Sequence, residues 1–170
     1  TLKALLKKYG RNVRRVFKHN PLGFHPNAMP AAIASHCAHR QRAFWPLHEL
    51  LFENNRQLGE ENILQYARQA GNLNYSKWKR CFDNKETKAA VEADQKMALN
   101  FGARGTPAFF INGISIKGAR PFEDFVAVIE HLVASGVHGI VVAGTTGEYY
   151  AQTRDERLML MRLARETVNG

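Results

Sequence analysis

Leu2, Leu5, Leu6 and Tyr9 recur at helical spacing ahead of Gly10, which predicts a short amphipathic helix stopped by the glycine. Nothing before Thr1 resembles an N-cap, so the sequence reads as starting inside a helix. Val13 to Lys18 reads as a short strand ended by Asn20-Pro21. The period then becomes helical over 27–40, 44–54, 60–70, 75–83 and 86–100, with breaks expected at Pro26, Pro30 and Pro46 and helix stops at Gly71 and Gly102. From residue 107 it changes to strand. Asn112-Gly113 separates the apolar runs of Ala108-Phe109-Phe110-Ile111 and Ile114-Ser115-Ile116, a strong short-range hairpin signal. Pro121 opens another helix, with Phe122, Phe125, Val126, Ile129 and Leu132 on one face, Glu123 and Asp124 in its first turn, and Gly136 beyond its end.

The last stretch differs in character. Gly139-Ile140-Val141-Val142-Ala143-Gly144 is apolar without alternation, as expected of a strand covered on both faces. Thr153-Arg154-Asp155-Glu156 reads as a capping box opening a helix to about Val168, with Leu158, Met161, Ala164 and Val168 on one face. Together they make a βα unit. No internal repeat or low-complexity segment is present.

Charge changes the picture by its placement. Of 170 residues, 24 are Lys or Arg and 15 are Asp or Glu, a formal net charge of +9. The first 48 residues hold nine of the basic side chains and no acid, so the other 122 balance at fifteen against fifteen. Five of the seven histidines (His19, His25, His36, His39, His48) share that first stretch. With 45% hydrophobic residues the chain can bury a core, which argues against disorder. No apolar run approaches the ~20 residues that span a bilayer, and the first residues do not read as a signal peptide, so a soluble chain is expected. Cys37 and Cys81, 44 apart, form neither a CxxC nor a disulfide framework. Both are expected as buried or idle thiols, although basic and histidine neighbours could favour a thiolate at Cys37. A metal reading of His36, Cys37 and His39 lacks a fourth local ligand.

The order helix, strand, helical insertion, Thr-Pro strand, hairpin strand, helix is that of a thioredoxin fold carrying a helical subdomain. Asn20-Pro21-Leu22, Phe24-His25-Pro26-Asn27-Ala28-Met29-Pro30, Phe44-Trp45 with His48, Leu51-Phe52-Glu53-Asn54, Gly105-Thr106-Pro107-Ala108-Phe109-Phe110 and Pro121-Phe122 carry the wording. Over about residues 1–133 the chain resembles the DsbA-like thiol:disulfide oxidoreductases. The resemblance implies that Thr106-Pro107 matches the cis-proline loop, which faces the active-site thiols and offers backbone groups to an extended polypeptide substrate. It also implies a periplasmic or extracytoplasmic parent. The family's first strand and catalytic Cys-x-x-Cys have no counterpart in the sequence, which reads as truncated just beyond them.

A second resemblance covers the tail. Gly136-Val137-His138-Gly139-Ile140-Val141-Val142-Ala143-Gly144-Thr145-Thr146-Gly147-Glu148-Tyr149-Tyr150, with Thr153, Glu156 and Arg157, resembles the dihydrodipicolinate synthase and N-acetylneuraminate lyase family of (β/α)8-barrel aldolases. The resemblance implies that Thr145 and Thr146 derive from a site that holds a substrate carboxylate and relays a proton. Only one βα unit is present, so aldolase activity is not expected. The chain thus reads as a chimera of α/β class, with the crossover between about Gly118 and Ser135. Residues 1–133 form a truncated thioredoxin-like domain with a helical subdomain over about 27–100. Residues 134–170 form an aldolase-like segment packed on or into it. The expected arrangement puts strand 139–143 in the vacant central position, beside 13–18 and 107–111. Otherwise exposed sheet edges would invite self-association.

These readings favour a thioredoxin-fold scaffold without catalytic activity, cofactor or metal. Two alternatives stand beside it. One is a thiol–disulfide oxidoreductase using Cys37 and Cys81, or acting between chains. The other is a polyanion-binding module built on the basic segment, with steeply salt-dependent binding. The bland reading of that segment is a solvated face, with neither nucleic acid nor membrane as partner, since no stacking platform appears. His48 reads as a packed helix residue rather than a general base, and Glu148 as a loop or cap residue. Gly144-Thr145-Thr146-Gly147 could hold a small anion through backbone amides.

Overall fold

The computed structural model describes residues 1–137 and 140–142. Its fold is mixed α/β and mostly helical, in two compact units: one joins Thr1–Lys18 to the segment from Ala103 onward, and the other is His19–Gly102.

In the first unit, helix α1 (Leu2–Tyr9) leads through a 3-10 turn (Gly10–Asn12) into strand β1 (Val13–Arg15). Strands β2 (Ala108–Ile111) and β3 (Ile114–Lys117) form the expected hairpin, paired Ala108 to Lys117 and Ile111 to Ile114. Asn112 and Gly113 take φ of 46° and 90°. Positive φ at both central residues is what a two-residue turn needs to follow the strand twist, hence Asn-Gly. Strand β4 (Ile140–Val142) lies between β1 and β2, giving the order β1-β4-β2-β3. It runs parallel to β1, with Val13 beside Ile140 and Arg15 beside Val142, and antiparallel to β2, with Ile111 beside Val142. The expected first strand over 13–18 is shorter in the fold, ending at Arg15.

The long helix of this unit, α7, spans Phe122–Ala134, with Pro121 as its N-cap. Its apolar face closes the core: Leu5, Val13, Ile111, Ile116, Phe125, Ile129 and Leu132 are all buried together. The Phe109 and Phe125 rings meet edge to face, centroids 5.0 Å apart, a favourable aromatic geometry. The helix ends in a Schellman motif. Gly136, at φ 74°, donates to Val133 O at 3.0 Å, and Val137 donates to Leu132 O at 3.4 Å. The amphipathic pattern of α1 is also realised, with Leu5 buried and Leu2, Leu6 and Tyr9 packed at the edge of the same core.

The second unit is all helical: α2 (Ala28–His39), α3 (Phe44–Glu53), α4 (Glu60–Gln69), α5 (Tyr75–Asp83) and α6 (Glu86–Asn100). Helix α2 packs against each of the other four. Alanines on several sides let its neighbours approach closely, and a helix apolar all round is one that is surrounded. Pro30 and Pro46 do not break helices as expected. Each is the third residue of its helix, within the first turn, where backbone N–H groups have no intrahelical acceptor and proline removes nothing. After α4 the left-handed residue is Asn72, at φ 61°, rather than the expected stop Gly71. Gly102, at φ 80°, does close α6, donating to Leu99 O at 2.9 Å. Arg42 adopts φ 60° so that Ala43 and Arg42 can donate to Ala38 O and His39 O, each at 2.9 Å. Asn74 caps α5 by accepting from Lys77 N at 3.0 Å. The Gln41 side chain in turn clamps Asn74, accepting from its N–H at 2.9 Å and donating to its carbonyl at 3.3 Å.

Candidate functional site

Two places carry the sequence-derived site residues, one in each unit. In the first unit, Thr106 and Pro107 stand exposed where the chain enters β2, and the peptide bond between them is cis. The Pro107 carbonyl accepts the Gly118 N–H at 2.9 Å. That bond ties the turn to the far end of the hairpin, so its position is set by the sheet and not by its own residues.

In the second unit the structure corrects the reading of the cysteines as idle thiols. Cys37 and Cys81 form a disulfide, with an S–S distance of 2.05 Å and Cα atoms 5.7 Å apart. Cys37 belongs to the inward face of α2 with Ala34 and Ala38, and Cys81 follows Trp78 by one turn on α5. Helical periodicity tells which face of each helix is apolar, but not which two faces meet. A cysteine on an apolar face of each of two helices was the available signal. One turn from the disulfide, fully buried Trp78 donates its indole Nε1–H to Ala34 O at 2.9 Å. Its ring stacks on Phe82 with centroids 4.9 Å apart and on Tyr75 at 5.7 Å. The α2–α5 contact is therefore tied twice, covalently and through the indole.

Neither cysteine stands at the N-terminal end of its own helix. A reactive cysteine sits exposed at a helix N-terminus, where the dipole and cations favour its thiolate. Cys37 is 0% exposed, and both cysteines occupy the last turns of their helices, at the negative ends of the dipoles. Thr87, also buried, donates its hydroxyl to Cys81 O at 2.8 Å, and its Oγ1 lies 3.8 Å from Cys81 Sγ.

Three of the five histidines of the basic segment, His19, His39 and His48, surround Phe44, while His25 lies against Phe24 with centroids 4.4 Å apart. The Phe44 ring centroid is 6.2 Å from His19, 6.3 Å from His39 and 5.4 Å from His48. His36 stands 6.1 Å from His19. His48 stacks on Phe52 at 4.3 Å and meets Trp45 at 5.3 Å, a packed residue of α3 as expected. Among the described residues no group of three His, Cys, Asp or Glu side chains is arranged to hold a metal ion. The basic side chains are divided between the units. On the first, Lys8 donates to Glu130 Oε1 at 3.1 Å, across from α1 to α7, and Tyr9 donates to the same oxygen at 3.4 Å. The hydrogen bond to Glu130 holds the Lys8 ammonium above its ordinary pKa. Lys79 is likewise raised by its hydrogen bond to Asp83. Thr145, Thr146, Glu148, the Gly144–Gly147 turn and the capping box at Thr153 lie outside the described residues.

Comparison with known proteins fits this layout. A family model described as thioredoxin matches residues 1–131, and one described as the dihydrodipicolinate synthetase family matches residues 104–170. The chain is 32% identical over 122 residues to a Na(+)/H(+) antiporter NhaA of Herminiimonas arsenicoxydans, covering 72% of this chain and 19% of that protein. It is 31% identical over 135 residues to a Na(+)/H(+) antiporter NhaA 3 of Salinispora tropica, covering 79% of this chain and 20% of that one. It is 46% identical over 55 residues to a 4-hydroxy-tetrahydrodipicolinate synthase of Desulfotalea psychrophila, 32% of this chain and 18% of the enzyme. The chain thus spans about a fifth of the length of the curated relatives it matches.

Proposed function

The chain belongs to the thioredoxin family, and on that footing we propose that it is a scaffold derived from a DsbA-like thiol:disulfide oxidoreductase, without redox turnover of its own. One observation carries the reading. Both cysteines of the sequence are joined to each other inside the helical unit, one of them wholly buried, so neither is left as an attacking thiol. The pair staples α2 to α5 instead of exchanging with substrates. A stable disulfide also suits the extracytoplasmic setting of the parent family.

The second part of the proposal concerns the tail. The two family matches overlap over residues 104–131, which supports a chimera joined in a stretch that suits both parents and includes most of α7. The pairing of β4 with both β1 and β2 supports the view that a strand of dihydrodipicolinate synthase type completes a thioredoxin-like sheet. Lyase activity is no part of this reading, because the match covers so little of a synthase. The antiporter relatives are much longer chains and support reading this segment as a module that occurs within larger proteins.

The test is an insulin-reduction assay and a dithiol-oxidation assay on the oxidised chain. The expected result is turnover no higher than background, unaltered by Cys37→Ser or Cys81→Ser. A robust signal that disappears with either substitution would overturn the scaffold reading in favour of a working dithiol.

A further inference from the structure

We propose that the Cys37–Cys81 disulfide is a modification site for small anionic thiols, which add to Cys81 and expel Cys37. This goes beyond the scaffold reading, since it concerns a stoichiometric exchange and not turnover. The two sulfurs are unequal. Cys37 is 0% exposed within a cluster of Ala34, Ala38, Leu47 and Trp78, whereas Cys81 is only half-buried near the end of α5. Thiol–disulfide exchange needs a thiolate to approach one sulfur in line with the other, so an incoming thiol reaches Cys81 alone while the helices stay packed.

The surroundings of Cys81 select the sign of that thiol. Lys77 precedes it by four residues on α5, the spacing that places two side chains side by side on a helix, and both Lys77 and Arg80 are exposed. Asp83 is the one acid of α5 itself, and Lys79 pairs with it at 2.5 Å. The three cations of α5 thus outweigh its one carboxylate and the partial negative charge at its C-terminal end, and favour a thiolate of net negative charge over one of no net charge.

The chemistry balances as follows. The thiolate sulfur bonds to Cys81 Sγ while the Sγ–Sγ bond breaks, and its electron pair leaves on Cys37, which takes a proton from solvent. A second molecule of the same thiol then attacks the mixed disulfide, releasing Cys81 as a thiol. Over both steps the protein disulfide gains two electrons and two thiols become one small disulfide. The first step is slow in the packed state, because a thiolate released into an apolar core is a poor leaving group.

The experiment uses the whole oxidised chain with glutathione and, separately, with cysteamine, whose thiolate form is a zwitterion of no net charge, at matched thiolate concentration. Samples are acid-quenched, unfolded and alkylated, and adducts are mapped by peptide mass spectrometry. Adducts on Cys81 should exceed those on Cys37 by about tenfold or more, because only one sulfur is accessible. Added salt should slow glutathione and leave cysteamine nearly unchanged, since it screens the attraction of a net charge that only the first thiolate carries. Lys77→Gln should slow glutathione by roughly two- to threefold, while Lys117→Gln, an exposed lysine of the other unit, should leave the rate unchanged. Adducts mainly on Cys37, or equal effects of the two lysine substitutions, would overturn the proposal. The first means exchange through an opened helix, and the second a field of the whole +9 chain instead of a local site.

Discussion

Replacing both cysteines with alanine should cost the helical unit about 3–4 kcal/mol of stability, and the figure can be worked from the chain. The disulfide joins residues 44 apart in sequence. Closing a loop of that length removes roughly 13 cal/mol/K of entropy from the unfolded chain, equivalent to about 4 kcal/mol at 25 °C, and measured losses commonly fall somewhat below this estimate. A further loss comes from the small void left where Cys37 had packed among Ala34, Ala38 and Trp78. Domains of this size have only about 5–15 kcal/mol in hand, so the double variant should remain folded at 25 °C with its Tm lower by roughly 15–25 °C. Urea unfolding followed by tryptophan fluorescence is the suitable assay, because Trp78 is wholly buried one turn from the disulfide. A Trp45→Phe background isolates its signal. The midpoint should fall, and dithiothreitol should lower it to the same value in the parent chain while leaving the double variant unmoved. A loss below about 1 kcal/mol would refute the reasoning, since it would mean that the unfolded chain is already confined without the bond.

Other expected outcomes test separate parts of the structure. Trp78→Phe keeps most of the ring but removes the donor to Ala34 O, and should destabilise the unit by about 1–3 kcal/mol in the same urea assay. Gly113→Ala meets no atom within 4 Å, so its cost should come from φ 90° alone and be about 1 kcal/mol by thermal unfolding. Lys8 has its folded pKa raised by Glu130, so the stability it contributes is fully present below its unfolded pKa and is lost as pH rises through the higher folded one. Lysine side-chain NMR should therefore show the Lys8 titration moving to lower pH when Glu130 is replaced by Gln.

Local patterns in the sequence proved sufficient for the elements and insufficient for their partners. Period and punctuation placed the five helices of the second unit within a residue or so, because the apolar repeat and a stop such as Gly102 act on their own neighbours through backbone geometry. Pro30 and Pro46 misled only because a proline looks the same whether it ends one helix or starts the next. The hairpin was legible from Asn112-Gly113 alone. The Cys37–Cys81 pair was not, since that contact depends on α5 folding back over α2 through two intervening helices. The Thr106-Pro107 turn could be recognised by its wording, whereas its tie to Gly118 follows from hairpin register and could be read only from the fold.

The position of β4 also dictates an order of assembly. The second unit is continuous in sequence, so its five helices can pack as soon as residue 102 has been made. The first unit is not, for Val13 finds its sheet partner only at Ile140. Pairings that distant are slow to form, because the loop between them must be closed before any contact rewards it. The helical unit, one continuous segment, therefore folds ahead of the sheet. Its disulfide then has a kinetic role as well: a preformed, stapled insert shortens the effective chain that must be searched before β1 meets β4.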